Sequence, residues 1–141
     1  MKVKSVGVVG AGQMGAGIAQ VCATIGKKVV LCDIKQKFVD NGMKTIIRNL
    51  ERSVSKKRIS QSDMEETLEN IQTTLELGNL SECDIIIEAI VENVDIKKNL
   101  FKDLGESCKD GAILASNTSS IPIGILAEAS RRPEMVIGMH F

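Results

Sequence analysis

The sequence predicts an α/β domain built on a doubly wound parallel sheet. Short β-branched runs alternate with segments of helical periodicity along the whole chain. The first run ends in three closely spaced glycines, and a helical pattern begins at once after them. Most of the later runs end in polar side chains. Such an alternation places helices on both faces of a parallel sheet, and it brings the strand ends to one common edge.

Length and composition narrow the class of protein. The chain has 141 residues, a length that suits one domain. Its 18 basic and 18 acidic side chains cancel, so it carries no strong net electrostatic field. Neither a basic stripe nor a membrane-length apolar run is present, so we expect no nucleic-acid or membrane partner. The four cysteines form no C-x-x-C pair and no metal spacing with the lone histidine. We therefore predict no metal, reduced thiols and a cytoplasmic location.

Residues 5–33 predict a strand, a glycine turn, a helix and a second strand. The glycines follow the spacing G-x-G-x-x-G. Gly10 is expected to adopt a backbone conformation that side chains forbid, Gly12 to leave room for a pyrophosphate, and Gly15 to let the helix lie close to the sheet. The start of the helix would direct free N–H groups at the phosphates. The turn therefore predicts a dinucleotide site, with a tight turn that binds nothing as the alternative.

An amphipathic helix is predicted after the glycines, ending at Gly26. The next strand, over 29–33, closes on Asp33 about twenty residues past the glycines, where a ribose-binding carboxylate is expected. A carboxylate there would repel the extra phosphate of NADP, so NAD is the predicted cofactor. The predicted buried face of the helix consists of Met14, Ile18, Val21, Cys22 and Ile25.

Two further helices are predicted as a hairpin inserted after the second strand. The second of them is expected to start at a capping box formed by Ser62 and Glu65. Between them lies the basic triplet 56–58, which fits either a solvated turn or a cationic clamp for a phosphate-bearing group other than the dinucleotide. The predicted apolar faces are Phe38, Met43, Ile46, Ile47 and Leu50 on the first helix, and Met64, Leu68 and Ile71 on the second.

Strands three to six are predicted over 73–77, 84–89, 112–115 and 135–139. Ligands of such sheets lie outside the carboxyl ends of the strands. Two of these ends, at 88–93 and 116–120, are rich in polar groups. The run 116–120 fits either turn and helix-cap chemistry before Pro122 or a set of short donors and acceptors near a nicotinamide. Which of the two applies stays open from spacing alone.

His140 follows the last predicted strand, at the same edge of the sheet. Imidazole is the side chain that exchanges protons readily near neutral pH, and oxidation of an alcohol needs a base for the hydroxyl proton. The sequence contains no tyrosine, which excludes the Tyr/Lys pair of short-chain dehydrogenases. His140 is therefore the candidate catalytic base, with a structural histidine as the alternative.

Taken together, these motifs resemble the L-3-hydroxyacyl-CoA dehydrogenases, and the bacterial 3-hydroxybutyryl-CoA enzymes most of all. The shared segments are 10–15, Asp33, 88–93, 115–120 and 138–141. The resemblance implies a Rossmann domain followed by a helical domain that forms the dimer and closes the active site. It also implies an NAD-dependent oxidoreductase that interconverts (S)-3-hydroxyacyl-CoA, with 3-hydroxybutyryl-CoA as the expected substrate, and 3-ketoacyl-CoA.

The resemblance implies roles for individual residues. His140 would be the catalytic acid/base, and Ser119 would hydrogen-bond the reacting oxygen and contact the substrate. Lys56 matches a lysine that contacts coenzyme A, which favours the clamp interpretation of the basic triplet. The implied cofactor contacts are Gly10, Gly12, Gln13, Met14, Gly15, Asp33, Ala89, Glu92, Lys97 and Asn117.

In relatives the chain continues past Phe141 with Phe-Asn-Pro, a glutamate that orients the histidine, and the helical domain. We therefore expect residues 1–141 to be the NAD-binding domain of a longer enzyme, with little or no activity alone. A homodimer or larger assembly would form through the missing part. One open alternative is a non-catalytic NAD-responsive binding module. A 2-hydroxy-acid dehydrogenase is disfavoured, because such an enzyme needs a cation at the strand ends to bind the substrate carboxylate. The only arginines near a strand end are Arg131 and Arg132, and they precede the last predicted strand.

Overall fold

The computed structural model describes residues 2–141, and six parallel strands form its centre. The strands are β1 Ser5–Val9, β2 Lys28–Cys32, β3 Ile71–Thr74, β4 Ile85–Glu88, β5 Ile113–Ser116 and β6 Val136–Gly138. Their order in the sheet is β3-β2-β1-β4-β5-β6, so the winding direction reverses between β1 and β4. Val9 lies opposite Cys32 on one side and Glu88 on the other. The predicted fold class is confirmed.

Helices cover both faces of the sheet. They are α1 Gln13–Thr24, α2 Gln36–Ser55, α3 Gln61–Glu69, α4 Val94–Ser107 and α5 Ile123–Ser130. One hydrophobic cluster joins α1, α2 and α3 to the sheet, and a second joins α4 and α5 to it. Ile85 and Ile87 belong to the first cluster and Ile86 to the second, because successive side chains of a strand point to opposite faces. Within residues 2–141, none of the helices combines the length and apolarity needed to cross a membrane.

The buried face of α1 differs from the predicted one. Of the predicted residues only Ile18 is buried, whereas Val21 and Ile25 are 58% and 67% exposed and Met14 is exposed as well. The side facing the sheet is made of small residues, which let the helix approach the strands closely. Gly15 is the tightest point, because a Cβ there would overlap the carbonyl oxygen of Gly10. The other buried residues of α1 are Ala16, Ala19 and Ala23.

The α2–α3 hairpin is present, but α3 begins earlier than predicted. Its capping box is formed by Ser60 and Asp63, since the Ser60 hydroxyl accepts the Asp63 N–H and the Asp63 carboxylate accepts the Ser60 N–H, both at 3.0 Å. The predicted box at Ser62 and Glu65 is wrong. β3 also begins earlier, at Ile71, which was predicted on the helix. The 3₁₀ turn Leu77–Leu80 takes up the end of the predicted strand 73–77.

At the amino ends of the strands, Asp84 ties three segments together. Its carboxylate accepts the backbone N–H groups of Lys4 at 2.7 Å and Ser5 at 3.1 Å, and the Lys109 ammonium lies 2.6 Å away. These donors, Lys109 first, hold the pKa of Asp84 well below its ordinary value. This ion pair lies at the edge of the sheet opposite to the strand ends that carry the predicted site residues.

Candidate functional site

The glycine turn after β1 has the geometry of an anion-binding loop. Gly10 has a φ of +109°, a conformation that favours glycine, and its N–H donates to the Cys32 carbonyl at 2.8 Å. Gly12 is the N-cap of α1, and a Cβ on it would project into open space. No side chain within residues 2–141 caps this helix end. The N–H groups of Gln13 and Met14 therefore face an open cradle next to the positive end of the helix dipole.

Asp33 lies directly beside this loop. One carboxylate oxygen accepts the Ala11 N–H at 2.8 Å, and the other accepts the Ile34 N–H at 2.7 Å. The half-buried side chain is thus fixed by two backbone donors at the end of β2. Because each carboxylate oxygen can accept more than one hydrogen bond, both keep capacity for ribose hydroxyls.

A cleft of about 660 Å³ lies over the carboxyl ends of β1, β2 and β4. This volume is in the range of small-molecule and cofactor sites. The glycine turn and Asp33 form one wall, and the start of α4 forms another. The lining also includes Ile34, Phe38, Leu77, Ala89, Ile90, Val91 and Ile96. An apolar cleft next to an uncapped helix end and a fixed carboxylate fits a dinucleotide, and the predicted contact Ala89 lies in it.

Behind the cleft, a buried ionic cluster joins β4, α4 and β5. The Lys97 ammonium lies 2.8 Å from a carboxylate oxygen of Glu88 and 2.8 Å from one of Glu92. The Glu88 and Lys97 side chains are 0% and 2% exposed. The Ser116 hydroxyl donates to the second oxygen of Glu88 at 2.5 Å. Glu88, Lys97, Glu92 and Ser116 together form what we term the Glu88 network.

The outer member of this network, Glu92, holds residues 118–120. Its carboxylate accepts the Thr118 hydroxyl at 2.9 Å, the Ser119 N–H at 3.0 Å and the Ser120 hydroxyl at 3.0 Å. The Ser119 hydroxyl lies 3.3 Å from the same carboxylate. Hydrogen bonds from Lys97, and then from these donors, keep the pKa of Glu92 well below its ordinary value, so it is a carboxylate at neutral pH.

The helix-cap interpretation of residues 116–120 is not what the structure shows. The N-cap of α5 is Pro122, without a side-chain cap in the described part of the chain. Turn chemistry accounts for part of the run, because the Thr118 hydroxyl accepts the Ile121 N–H at 3.0 Å. Most of its polar groups instead converge on Glu92, and the Ser119 side chain itself is exposed at the rim.

His140 lies at the same rim, just past β6. Ser116 pairs with Gly138, and the Met139 N–H donates to the Ser116 carbonyl at 2.9 Å. The Asn117 side chain accepts the Phe141 N–H at 3.3 Å, so the chain at 138–141 runs alongside 116–117. The exposed His140 side chain is therefore on the segment next to the one that carries Ser119.

Lys56 lies apart from the other predicted site residues. It is the exposed C-cap of α2, a helix of 20 residues that starts shortly after Asp33. At about 1.5 Å per residue, such a helix carries its end roughly 30 Å from its start. The neighbouring Lys57 has a φ of 57°, which marks a tight turn at this point. The structure thus gathers the predicted residues at the strand ends but leaves Lys56 outside that group.

Neither a role for Glu88 nor its contact with Ser116 follows from the sequence pattern. The only local signal is an acidic residue that closes an otherwise apolar run. Lys97 was predicted as a cofactor contact, and the structure places its ammonium between two carboxylates.

A doubly wound sheet with a glycine turn, a fixed carboxylate and a cleft at its winding reversal defines a dinucleotide-binding domain of the Rossmann type. The family model described as "3-hydroxyacyl-CoA dehydrogenase, NAD binding domain" matches residues 5–141. The chain belongs to this family, and its cofactor is NAD.

Individual relatives agree with this assignment. A probable 3-hydroxybutyryl-CoA dehydrogenase of Deinococcus radiodurans is 51% identical over 135 residues, which are 96% of this chain and 48% of the relative. The crystal structure of (S)-3-hydroxybutyryl-CoA dehydrogenase from Ralstonia eutropha superposes with a TM-score of 0.96 at 40% identity, covering 99% of this chain and 50% of that one. The fatty acid oxidation complex subunit alpha of Psychrobacter cryohalolentis is 46% identical over 134 residues, which are 95% of this chain and 19% of the relative. The chain thus spans about half the length of the two 3-hydroxybutyryl-CoA dehydrogenases.

Proposed function

We propose that this domain is the NAD-binding part of a dehydrogenase that interconverts (S)-3-hydroxyacyl-CoA and 3-ketoacyl-CoA. The observation that carries the proposal is the common rim of the sheet. The glycine turn and Asp33 lie there together with His140 and with residues 118–120, which we term the Ser119 segment. The names of relatives in Deinococcus and Ralstonia favour a short substrate, 3-hydroxybutyryl-CoA. The whole protein, rather than residues 1–141 alone, would carry out the reaction.

The cofactor side of the cleft has the groups that the proposal needs. Gly10, Gly12 and Gly15 shape the turn, and the first N–H groups of α1 would bind the pyrophosphate. Asp33 would accept the hydroxyls of the adenosine ribose. Ala89, Glu92, Lys97 and Asn117 would lie towards the nicotinamide half, with Lys97 acting through the carboxylates that enclose it. Bound NAD would supply the hydride acceptor.

On the substrate side, His140 and Ser119 would have different roles at the reacting oxygen. The imidazole of His140 would take the proton of the 3-hydroxyl group as hydride leaves C3, and it would return a proton in the reverse reaction. The Ser119 hydroxyl would hydrogen-bond the same oxygen. Both side chains are exposed at the rim, which leaves them accessible to a substrate.

The test uses the whole protein with single substitutions. His140→Ala should lower kcat by about 100-fold or more, the usual contribution of a general acid/base, and leave NADH affinity unchanged. Ser119→Ala should lower kcat less. Lys102→Ala, on the exposed side of α4, is the matched control with normal kcat. Near-normal kcat in His140→Ala would contradict the mechanism. NADH binding without any turnover of the wild type would favour a non-catalytic module.

The coenzyme A clamp at Lys56 is part of the same proposal. A lysine acts on a phosphate as a point charge, and a long nucleotide-bearing substrate can extend away from the reacting carbon. Lys56→Ala with Lys57→Ala should raise KM for the acyl-CoA but not for an acyl-pantetheine that lacks the nucleotide. Lys44→Ala, also exposed on α2, serves as the control. Equal losses with both substrates would exclude the clamp.

Assembly and location complete the proposal. A homodimer or larger assembly would form through the part of the protein beyond this domain, since relatives are about twice as long. A cytoplasmic location is supported by four thiols without disulfide partners, of which Cys32, Cys83 and Cys108 are buried. Light scattering of the whole protein and of residues 1–141 would test the assembly. Particles of the domain alone should contain fewer chains than particles of the whole protein.

A further inference from the structure

We propose that Glu88 is a positioning residue for the Ser119 segment, acting through Lys97, Glu92 and Ser116. The catalytic meaning of this inference rests on the proposed function, whereas the positioning itself does not. Glu88 ends the central strand β4 and is wholly buried, so it cannot touch a substrate directly. Its effect must therefore be transmitted by the residues that bind to it.

Stability alone does not explain the Glu88 network. Two carboxylates and one ammonium are removed wholly or partly from water, and the Glu88 and Lys97 side chains are almost completely buried. Desolvation of such a pair offsets much of its electrostatic attraction, and apolar side chains of similar volume often stabilise a protein as well or better. A buried ionic cluster that is fully paired instead fixes the orientation of the groups it contacts.

Two routes lead from Glu88 to the Ser119 segment. In the first, Lys97 bridges Glu88 to Glu92 with two contacts of 2.8 Å, and Glu92 then binds residues 118–120. In the second, the Ser116 hydroxyl donates to Glu88 and accepts the Thr118 N–H at 3.2 Å. The two carboxylate oxygens of Glu88 thus serve different routes to the same short segment.

The same side chain also binds a segment that lines the cleft. The Ile90 N–H donates to Glu88 at 2.8 Å, and residues 89–91 line the cleft. Glu88 therefore sets the position of residues 89–91 in the cleft relative to the Ser119 segment. Because reacting groups must be aligned within a fraction of an ångström, a small shift of the Ser119 segment relative to residues 89–91 would slow the reaction strongly.

The test compares Glu88→Gln with a control in the whole protein. Glutamine keeps the size of the side chain but removes the charge that holds Lys97. We expect kcat to fall by about tenfold to 100-fold, because loss of alignment at a reacting centre has effects of this size, with KM for NADH changed less than about threefold. Lys109→Met removes the ion pair with Asp84 at the opposite edge of the sheet, and it should leave kcat unchanged.

A double substitution distinguishes positioning from a merely structural role. If Glu88 acts through Ser119, then Glu88→Gln should lower kcat much less in a Ser119→Ala background than in the wild type. Fully additive effects would overturn the inference. Glu92→Gln, a change at a partly exposed side chain, should show the same non-additivity and serves if Glu88→Gln does not fold.

Amide hydrogen exchange gives a readout that needs no turnover. Peptides covering residues 117–121 should exchange faster in Glu88→Gln and in Glu92→Gln than in the wild type, and at the wild-type rate in Lys109→Met. Unchanged exchange in both network variants would overturn the positioning role. If the wild type does not oxidise any 3-hydroxyacyl-CoA, the proposed function fails, and the exchange experiment still decides the inference.

Discussion

At the scale of single residues, the glycines of the turn after β1 have separable roles. Gly15 is required for packing, because its Cβ would overlap the Gly10 carbonyl oxygen. Gly12 is different, since its φ of −71° and ψ of −168° suit any residue and nothing fills the space where a Cβ would lie. The sequence pattern alone assigns both to one motif, and only the structure shows which one is free to change without disturbing the fold.

We expect Gly12→Ala to fold normally and to bind NADH weakly. The added methyl group would occupy the cradle meant for the pyrophosphate, so the Kd for NADH should rise at least tenfold, or about 1.4 kcal/mol. The free energy of unfolding should change by less than about 1 kcal/mol. Gly17→Ala, inside α1 with open space around its Cβ, is the control and should raise stability by about 0.5–1 kcal/mol with NADH binding unchanged. Fluorescence titration measures the Kd for NADH, and urea unfolding measures the free energy of unfolding.

The Asp84 carboxylate gives a pH-dependent prediction. Its pKa is lower in the folded protein than in the unfolded chain, chiefly because of Lys109, so its stabilising contribution is complete above the unfolded value of about 3.9 and disappears as the pH falls further. Asp84→Asn should lower the thermal midpoint at pH 7. The difference from the wild type should shrink between about pH 4 and pH 2.5. A difference that stays constant down to pH 2.5 would contradict this origin.

At the scale of elements, the sequence predicts the type of each segment better than its burial. The strands and helices were found because their apolar periodicity is local. The prediction of the buried face of α1 was wrong, because close approach to the sheet selects Ala16, Ala19 and Ala23 over larger side chains. The predicted cap of α3 was wrong because Ser60 and Ser62 each have an acidic residue three positions later, and the helix begins after the first of these two serines.

The crossing of α4 and α5 depends on Gly105. A Cβ at this position would overlap the carbonyl oxygen of Ser130, which is backbone and cannot turn away. Gly105→Ala should therefore force the helices apart and lower the free energy of unfolding by about 1–3 kcal/mol, as overpacking does elsewhere. Gly124→Ala, in the first turn of α5 with open space around it, should not lower stability. Equal urea midpoints for the two variants would refute this account.

At the scale of the whole molecule, the candidate site could be predicted at its rim but not behind it. The glycine turn, Asp33, the Ser119 segment and His140 all follow strands, and parallel strand ends meet at one edge. The Glu88 network could not be predicted in this way. Glu88, Lys97 and Ser116 come from three elements, and the pairing of Glu88 with Ser116 in adjacent strands exists only in the folded sheet.

Cofactor binding should stabilise the domain as a unit. A ligand at 100 times its Kd adds about 2.7 kcal/mol to the free energy of unfolding, which corresponds to several degrees in the thermal midpoint. NADH should produce this shift, and NADPH at the same concentration should produce less, because Asp33 would face its extra phosphate. Asp33→Asn should narrow the difference. Equal shifts with the two nucleotides in the wild type would exclude the predicted discrimination.

The pairing of β1 with β4 has a consequence for how the protein is made. Val6 pairs with Ile85, so about 80 residues must leave the ribosome after β1 before its second neighbour exists. During synthesis at about 5–20 residues per second, β1 would wait several seconds with one side unpaired. Nascent chains that end before β4 should expose this strand to chaperones, and chains that include it should become protected.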